Sequence, residues 1–149
     1  MINVVIDKSG SMNTLGKPEV IQSIIRELQL TAGIECTFYS WGESLNVISE
    51  PIDIKYDGKS LIQTLLDFIK LNTGACLLLT DGFSNEDKSN LASYLRDNPN
   101  SKFRIILVGA DSRLINGKSF FPKNLMATEQ NKYIFSSLEV SAAVESLYF

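Results

Sequence analysis

Apolar residues follow two rhythms along this chain, compact runs and stretches spaced three and four apart, and the two alternate from one end to the other. Ile2 to Ile6, Ala75 to Leu79 and Phe103 to Val108 read as strands covered on both faces, since a strand with one wet face alternates apolar with polar positions. Ile34 to Trp41 is rich in β-branched and aromatic residues and reads as a second strand, with Leu45 to Ser49 a short third and Tyr133 to Phe135 a short last one. Val20, Ile21, Ile24, Ile25 and Leu28 recur at helical spacing behind Pro18, which suits a first helical turn. Ile62, Leu65, Leu66 and Ile69 repeat that spacing behind Ser60, a third helix runs from near Glu86 through Asn90 to Arg96, and Leu138, Val144 and Leu147 suggest a closing helix. Gly33 and Gly74 end the first two helices, and Asn98-Pro99-Asn100 makes a turn. Pro51, Asp53 and Lys55 follow the third strand, where proline and charge discourage further pairing, so that strand belongs at an edge. Ser112 to Thr128 carry no readable periodicity. Strands alternating with helices throughout predict a mostly parallel sheet with helices on both faces.

Length and composition narrow the class. With 149 residues the chain is expected to form a single domain, 1–149, burying about 68–70% of the surface its unfolded form exposes. A hydrophobic fraction of 44% beside 21% charged residues is ordinary for a globular protein and speaks against a disordered or fibrous chain. Net charge is −3 with Lys and Arg scattered, which argues against a nucleic-acid surface built on phosphate neutralisation. No apolar run reaches the roughly 18 residues of a membrane span, and the amino terminus enters a strand without a basic leader, so a cytoplasmic location is expected. There is no histidine, which excludes a histidine-based triad or acid–base pair.

The first apolar run ends in Asp7-Lys8-Ser9-Gly10-Ser11-Met12. An acid followed by two hydroxyls at alternate positions then stands at the carboxyl end of a buried strand, where open α/β sheets gather their ligands. One charged oxygen and two neutral hydroxyls suit part of the octahedral oxygen shell of Mg²⁺ at about 2.0–2.1 Å.

This loop resembles the D-x-S-x-S signature of von Willebrand factor type A domains, whose metal-ion-dependent adhesion site (MIDAS) is built on it. Two further segments of that site have counterparts in the right order, Gly58-Lys59-Ser60 and Thr80-Asp81-Gly82, with Ser60 where threonine is commoner and Lys59 in place of a usual glycine. The resemblance spans nearly the whole chain and implies a small, stand-alone form of the family. It implies a three-layer, doubly wound, six-stranded sheet in the order 3-2-1-4-5-6, with strand 3 an antiparallel edge. It implies one Mg²⁺ or Mn²⁺ held by Asp7, Ser9, Ser11, Ser60 and Asp81. The partner it implies is another protein, contributing an Asp or Glu to the metal; no nucleic acid or membrane is implied, and by proximity in sequence alone Lys8, Met12, Asn13, Phe83 and Ser84 are expected to form the surrounding rim. In that strand order Cys36 and Cys76 are separated by the first strand, too far apart for the roughly 7 Å of a disulfide.

Rival readings attach to the same residues. Ser60 followed by Gln63 is a capping-box pattern, and Ser84 with Asp87 suits the start of the third helix. Gly58-Lys59-Ser60 also resembles the end of a P-loop, but Asp53 stands where that pattern needs glycine, and a second such tripeptide occurs at Gly117-Lys118-Ser119. A PIN-like metal-dependent nuclease or phosphohydrolase would use Asp7, Asp81 and Asp111 at three strand ends, although the serine-rich loop offers little negative charge for two metals. No G-x-S-x-G elbow surrounds Ser9 or Ser11. The balance favours a metal-dependent binding domain over an enzyme.

Overall fold

The protein is described here by a computed structural model covering residues 1–14, 16–31, 33–72, 74–109 and 132–148; Asp111, the stretch Ser112 to Thr128 and Gly117-Lys118-Ser119 lie outside the described residues. Six strands, β1 (Ile2–Asp7), β2 (Cys36–Trp41), β3 (Leu45–Ile48), β4 (Ala75–Thr80), β5 (Phe103–Leu107) and β6 (Ile134–Ser136), form one sheet in the order β3-β2-β1-β4-β5-β6. All neighbours run parallel except β2 and β3, so the expected order and the antiparallel edge are both present.

Burial explains why β1 lies in the middle. Ile2, Val4 and Ile6 face one way, against Ile21, Ile24 and Leu28 of α1 (Lys17–Leu30), and Val5 faces the other, against Leu65 and Leu66 of α2 (Ile62–Leu71). Successive strand side chains point to opposite faces, so a run with no polar alternation needs a helix on each side. Leu91 and Leu95 of α3 (Asn85–Asp97) join the α2 side, and Val140, Ala143, Val144 and Leu147 of α4 (Val140–Tyr148) join the α1 side. From β1 the chain builds β2 and β3 on one side and then crosses to β4 on the other. The carboxyl ends of β1 and β4 therefore flank the switch point, the usual ligand position in such sheets.

Element boundaries moved where local chemistry overrode pattern. β2 starts at Cys36, not Ile34, and α2 starts at Ile62, not Ser60. Leu138 is 95% exposed in the turn before α4, where the Glu139 N–H donates to the Ser136 carbonyl, so it is no part of that helix's apolar face. The cysteines sit on either side of β1, Cys36 opposite Ile2 and Cys76 opposite Asn3, both as free thiols. Burial pushes the Cys76 thiol up to about 12.

Met12 departs most from expectation. It belongs to the 3-10 turn Gly10–Asn13 and is fully buried in the core on the α1 side of the sheet instead of lying on a surface rim. The turn drops this side chain beneath the loop and so anchors Ser9 and Ser11 from below. Met12→Ala is expected to cost about 2–5 kcal/mol in urea unfolding, the range for a large core side chain, against less than about 0.5 kcal/mol for a surface position. A loss at the surface value would contradict this anchoring role.

Candidate metal centre

Asp7 ends β1 only 2% exposed, and a carboxylate buried to that degree is costly unless hydrogen bonds replace its water. Three donors from three segments do so. The Ser60 hydroxyl donates to Oδ1 at 2.5 Å, the Thr80 hydroxyl to Oδ2 at 2.6 Å, and the Ser9 backbone N–H to Oδ1 at 2.9 Å. Such distances are those of charge-assisted bonds. All three donors are neutral, and among the described residues Asp7 takes part in no ion pair. Its charge is solvated but not compensated.

Ser60 reaches Asp7 because its segment is laced to the end of β2. The Leu61 N–H donates to the Gly42 carbonyl at 2.9 Å, Trp41 Nε1 donates to the Leu61 carbonyl at 2.8 Å, and the Gly10 N–H donates to the Gly58 carbonyl at 3.2 Å. Gly58 turns the chain at φ +79°, a backbone conformation that glycine adopts without strain. The Ser60 hydroxyl, also 3.0 Å from the Trp41 carbonyl, is thereby committed to β1 and β2, and α2 begins with no side-chain cap. Gln63 donates to Asp67 instead of reaching back. The capping-box reading is therefore replaced by a tertiary one. Ser84 does cap α3, its hydroxyl accepting from the Asp87 N–H at 3.2 Å.

Asp7, Ser9, Ser11, Ser60 and Asp81, the five residues singled out in the sequence, line one open cleft of about 870 Å³ together with Trp41, Phe83 and Lys88. The hydroxyls of Ser9 and Ser11 lie 3.2 Å apart. Trp41 and Phe83 form one wall, with ring centroids 6.0 Å apart. Lys8 turns aside toward Asp57, 3.4 Å away, and packs its stem against Gly42. Every donor in the set is an oxygen, a chemistry that suits a hard cation and offers nothing to a soft one. Hydroxyls that donate to Asp7 keep two lone pairs each, so bonding the carboxylate and facing a cation are compatible. By their chemistry, then, these residues fit a divalent ion.

Two residues of this centre were not singled out as site residues. Thr80 belongs to the Thr80-Asp81-Gly82 segment without being one of the expected ligands, yet its hydroxyl completes Asp7 and also accepts from the Gly82 N–H at 3.2 Å. Lys17, at the start of α1, places Nζ 3.1 Å from Asp81 Oδ2 and 3.4 Å from the Ser11 carbonyl, with both charged side chains close to 90% buried. A lysine in the first turn of a helix opposes the helix dipole, and that local misfit was the available signal. The cleft is lined by three carboxylates, Asp7, Asp81 and Asp87, and among the described residues no three acidic, thiol or imidazole groups come close enough together to hold a metal ion between them.

No protein-family model and no curated protein matches the sequence. Solved structures do match. A von Willebrand factor type A domain protein from Catenulispora acidiphila aligns over 99% of this chain and 41% of its own, with TM-score 0.54 and 16% identity. The chain has the von Willebrand factor type A fold. Proximal thread matrix protein 1 from the mussel byssus, solved with zinc in its MIDAS motif, aligns over 97% of this chain and 44% of its own, with TM-score 0.57 and 17% identity. An aerotolerance-related membrane protein from Bacteroides fragilis aligns over 99% and 98%, with TM-score 0.63 and 13% identity. The chain thus spans nearly all of the Bacteroides protein and less than half of the other two. Among the described residues no helix is long and apolar enough to cross a membrane.

The hydrogen bonds to Asp7 set a measurable expectation for this vWA fold. Ser60→Ala and Thr80→Val each leave one oxygen of a buried carboxylate short of a donor and are expected to cost about 1–3 kcal/mol in metal-free denaturation. Ser9→Ala, which keeps its backbone donor, should cost well below that. Equal costs for all three would mean that Asp7 does not organise the loop.

Proposed function

We propose that the cleft binds one divalent cation, Mg²⁺ or Mn²⁺, through Asp7, Ser9, Ser11, Ser60 and Asp81, and uses it to hold an acidic residue of another protein. The observation that carries this reading is Asp7 itself, a buried carboxylate with every oxygen hydrogen-bonded by neutral donors and no cation beside it among the described residues. Evidence for a divalent ion in this fold comes from the zinc-occupied MIDAS of the mussel protein. The bound ion would supply a Lewis-acidic centre with room for one more hard, anionic oxygen. Asp7, with its backbone and hydroxyl partners, orients the loop; Ser9, Ser11 and Ser60 offer neutral oxygens; and Phe83, backed by the buried Trp41, gives the cleft an apolar wall against which a partner can exclude water.

Binding is a better reading than catalysis because the buried Asp7 carboxylate is taken up by its hydrogen-bond donors and the chain has no histidine to serve as a base for the serine hydroxyls. Lys59 lines the cleft, and a positive charge in such a place acts mainly on the rate of encounter with an acidic partner.

Titration calorimetry tests the metal. Wild type should bind one equivalent of Mg²⁺ or Mn²⁺, and Asp7→Ala should abolish binding while its circular dichroism stays native; equal affinities would remove the assignment. The partner is found by pull-down with and without chelator. Replacing the partner's acids one at a time, Asp by Asn and Glu by Gln, should then reveal one position whose loss matches chelation, at about 2–5 kcal/mol for a desolvated charge contact. If binding survives both chelator and every such replacement, the interface lies elsewhere on the domain.

A further inference from the structure

Lys17 stands beside the cleft, and metal binding as proposed leaves it unused. Its ammonium lies 3.1 Å from Asp81 Oδ2 and 3.4 Å from the Ser11 carbonyl, so it already sits on one of the five ligand residues and against the backbone of a second. The pair is well shielded, with side-chain exposures of 12% and 11%. At such exposure the attraction is much stronger than at the surface, while an unpaired partner would be a liability.

The chain is shaped to put the ammonium there. Lys17 opens α1 directly after Gly16, which caps the helix at φ +77°. A cation in that turn runs against the helix dipole, and the preferred occupant would be an acid. Its stem passes over Gly109, where a Cβ would stand 2.7 Å from Lys17 Cε, and Gly109 itself has a φ of +109° that other residues rarely adopt. A helix-dipole misfit and a glycine-lined passage thus both serve to bring one positive charge to Asp81.

We propose that Lys17 is a tethered cation that holds Asp81 in the metal-free protein and must yield it when a divalent ion enters, so that this side chain sets how tightly the cleft binds metal. The inference rests on the metal-binding reading above. An ammonium and a dication cannot share one carboxylate at close range without strong repulsion in a shielded site. Releasing Lys17 therefore costs the ion pair and is subtracted from the affinity. The coupling is reciprocal, so metal also loosens the hold of Lys17 on Asp81 and with it the first turn of α1. In the metal-free state the pair keeps Asp81 compensated, which lets the site exist without its ion.

The test is calorimetric titration of Mg²⁺ into the full chain as wild type, Lys17→Met, Lys17→Gln and Lys17→Arg, with Asp7→Ala as control. The two neutral substitutions keep much of the stem and remove the charge, and having two of them guards against one failing to fold. Both should tighten Mg²⁺ binding by about 5- to 150-fold, the usual span for coupled sites, while Lys17→Arg stays near wild type. The rise in melting temperature on adding Mg²⁺ should likewise be larger for Lys17→Met and Lys17→Gln than for wild type. If wild type binds Mg²⁺ and the neutral variants bind it equally or more weakly, the competition is overturned and the metal reading stands. Should neither wild type nor any Lys17 variant bind Mg²⁺ or Mn²⁺, both fall together.

Discussion

A single buried charge organises this end of the molecule. Asp7 stands at the carboxyl end of the central strand with almost no water, and its donors come from the loop that follows it, from the segment before α2 and from the end of β4. None of those segments is adjacent in sequence to the others. Each donor is worth little net in an exposed setting, but withdrawing one from a buried carboxylate carries the full cost of desolvation. The requirement to satisfy Asp7 therefore acts as a three-way clamp, and the cleft is the space the clamp leaves open.

The clamp explains which local rules the chain breaks. Ser60 has the spacing of a helix cap, and its hydroxyl would satisfy a backbone N–H of α2 if it stayed local. It points at Asp7 instead, since a charged acceptor in a shielded place repays a hydroxyl better than an exposed helix end. Met12 looks like a loop residue between Ser11 and Asn13, yet it is the apolar underside of a loop whose polar side must face the cleft. Lys17 violates the helix dipole for the same kind of reason, answering a charge on another segment.

Much of the fold was legible in the sequence because it follows from periodicity. Apolar runs at Ile2 to Ile6, broken only by Asn3, and Ala75 to Leu79, with helical stripes between, admit few arrangements other than a covered parallel sheet, and strand order 3-2-1-4-5-6 followed from the family resemblance of the three short motifs. Five residues of the cleft were legible because they fall in three short motifs. Thr80 lies in one of those motifs, but beside Asp81 it reads as the end of a strand and nothing local reports that its hydroxyl reaches Asp7. Lys17 was hidden because its partner lies 64 positions away and nothing in a helical stripe reports the contact of a polar side chain across the sheet. Leu138 misled for the opposite reason, an apolar residue at roughly helical spacing that the turn after β6 leaves in solvent. Pattern reports what must be buried. It is silent on which polar groups are buried together, because that depends on contacts between segments far apart in the chain.

The same charges bear on how such a cleft can recognise a partner. Asp7 and Asp81 bring two negative charges, and Lys17 returns one positive charge that is covalently part of the site. On the reading proposed above, a divalent ion that displaces Lys17 from Asp81 meets two carboxylates and neutral hydroxyls, so its charge is matched while its oxygen shell is left unfilled. A site built from three or four carboxylates would instead leave the centre negative and repel an acidic partner. Three serine hydroxyls in place of carboxylates keep the oxygen count while withholding charge, so the ion's attraction is spent outward. One carboxylate from outside then supplies the missing hard oxygen. By this reasoning, the serine content that makes the cleft a poor two-metal hydrolytic centre is the feature that makes it a good receptor for an acid.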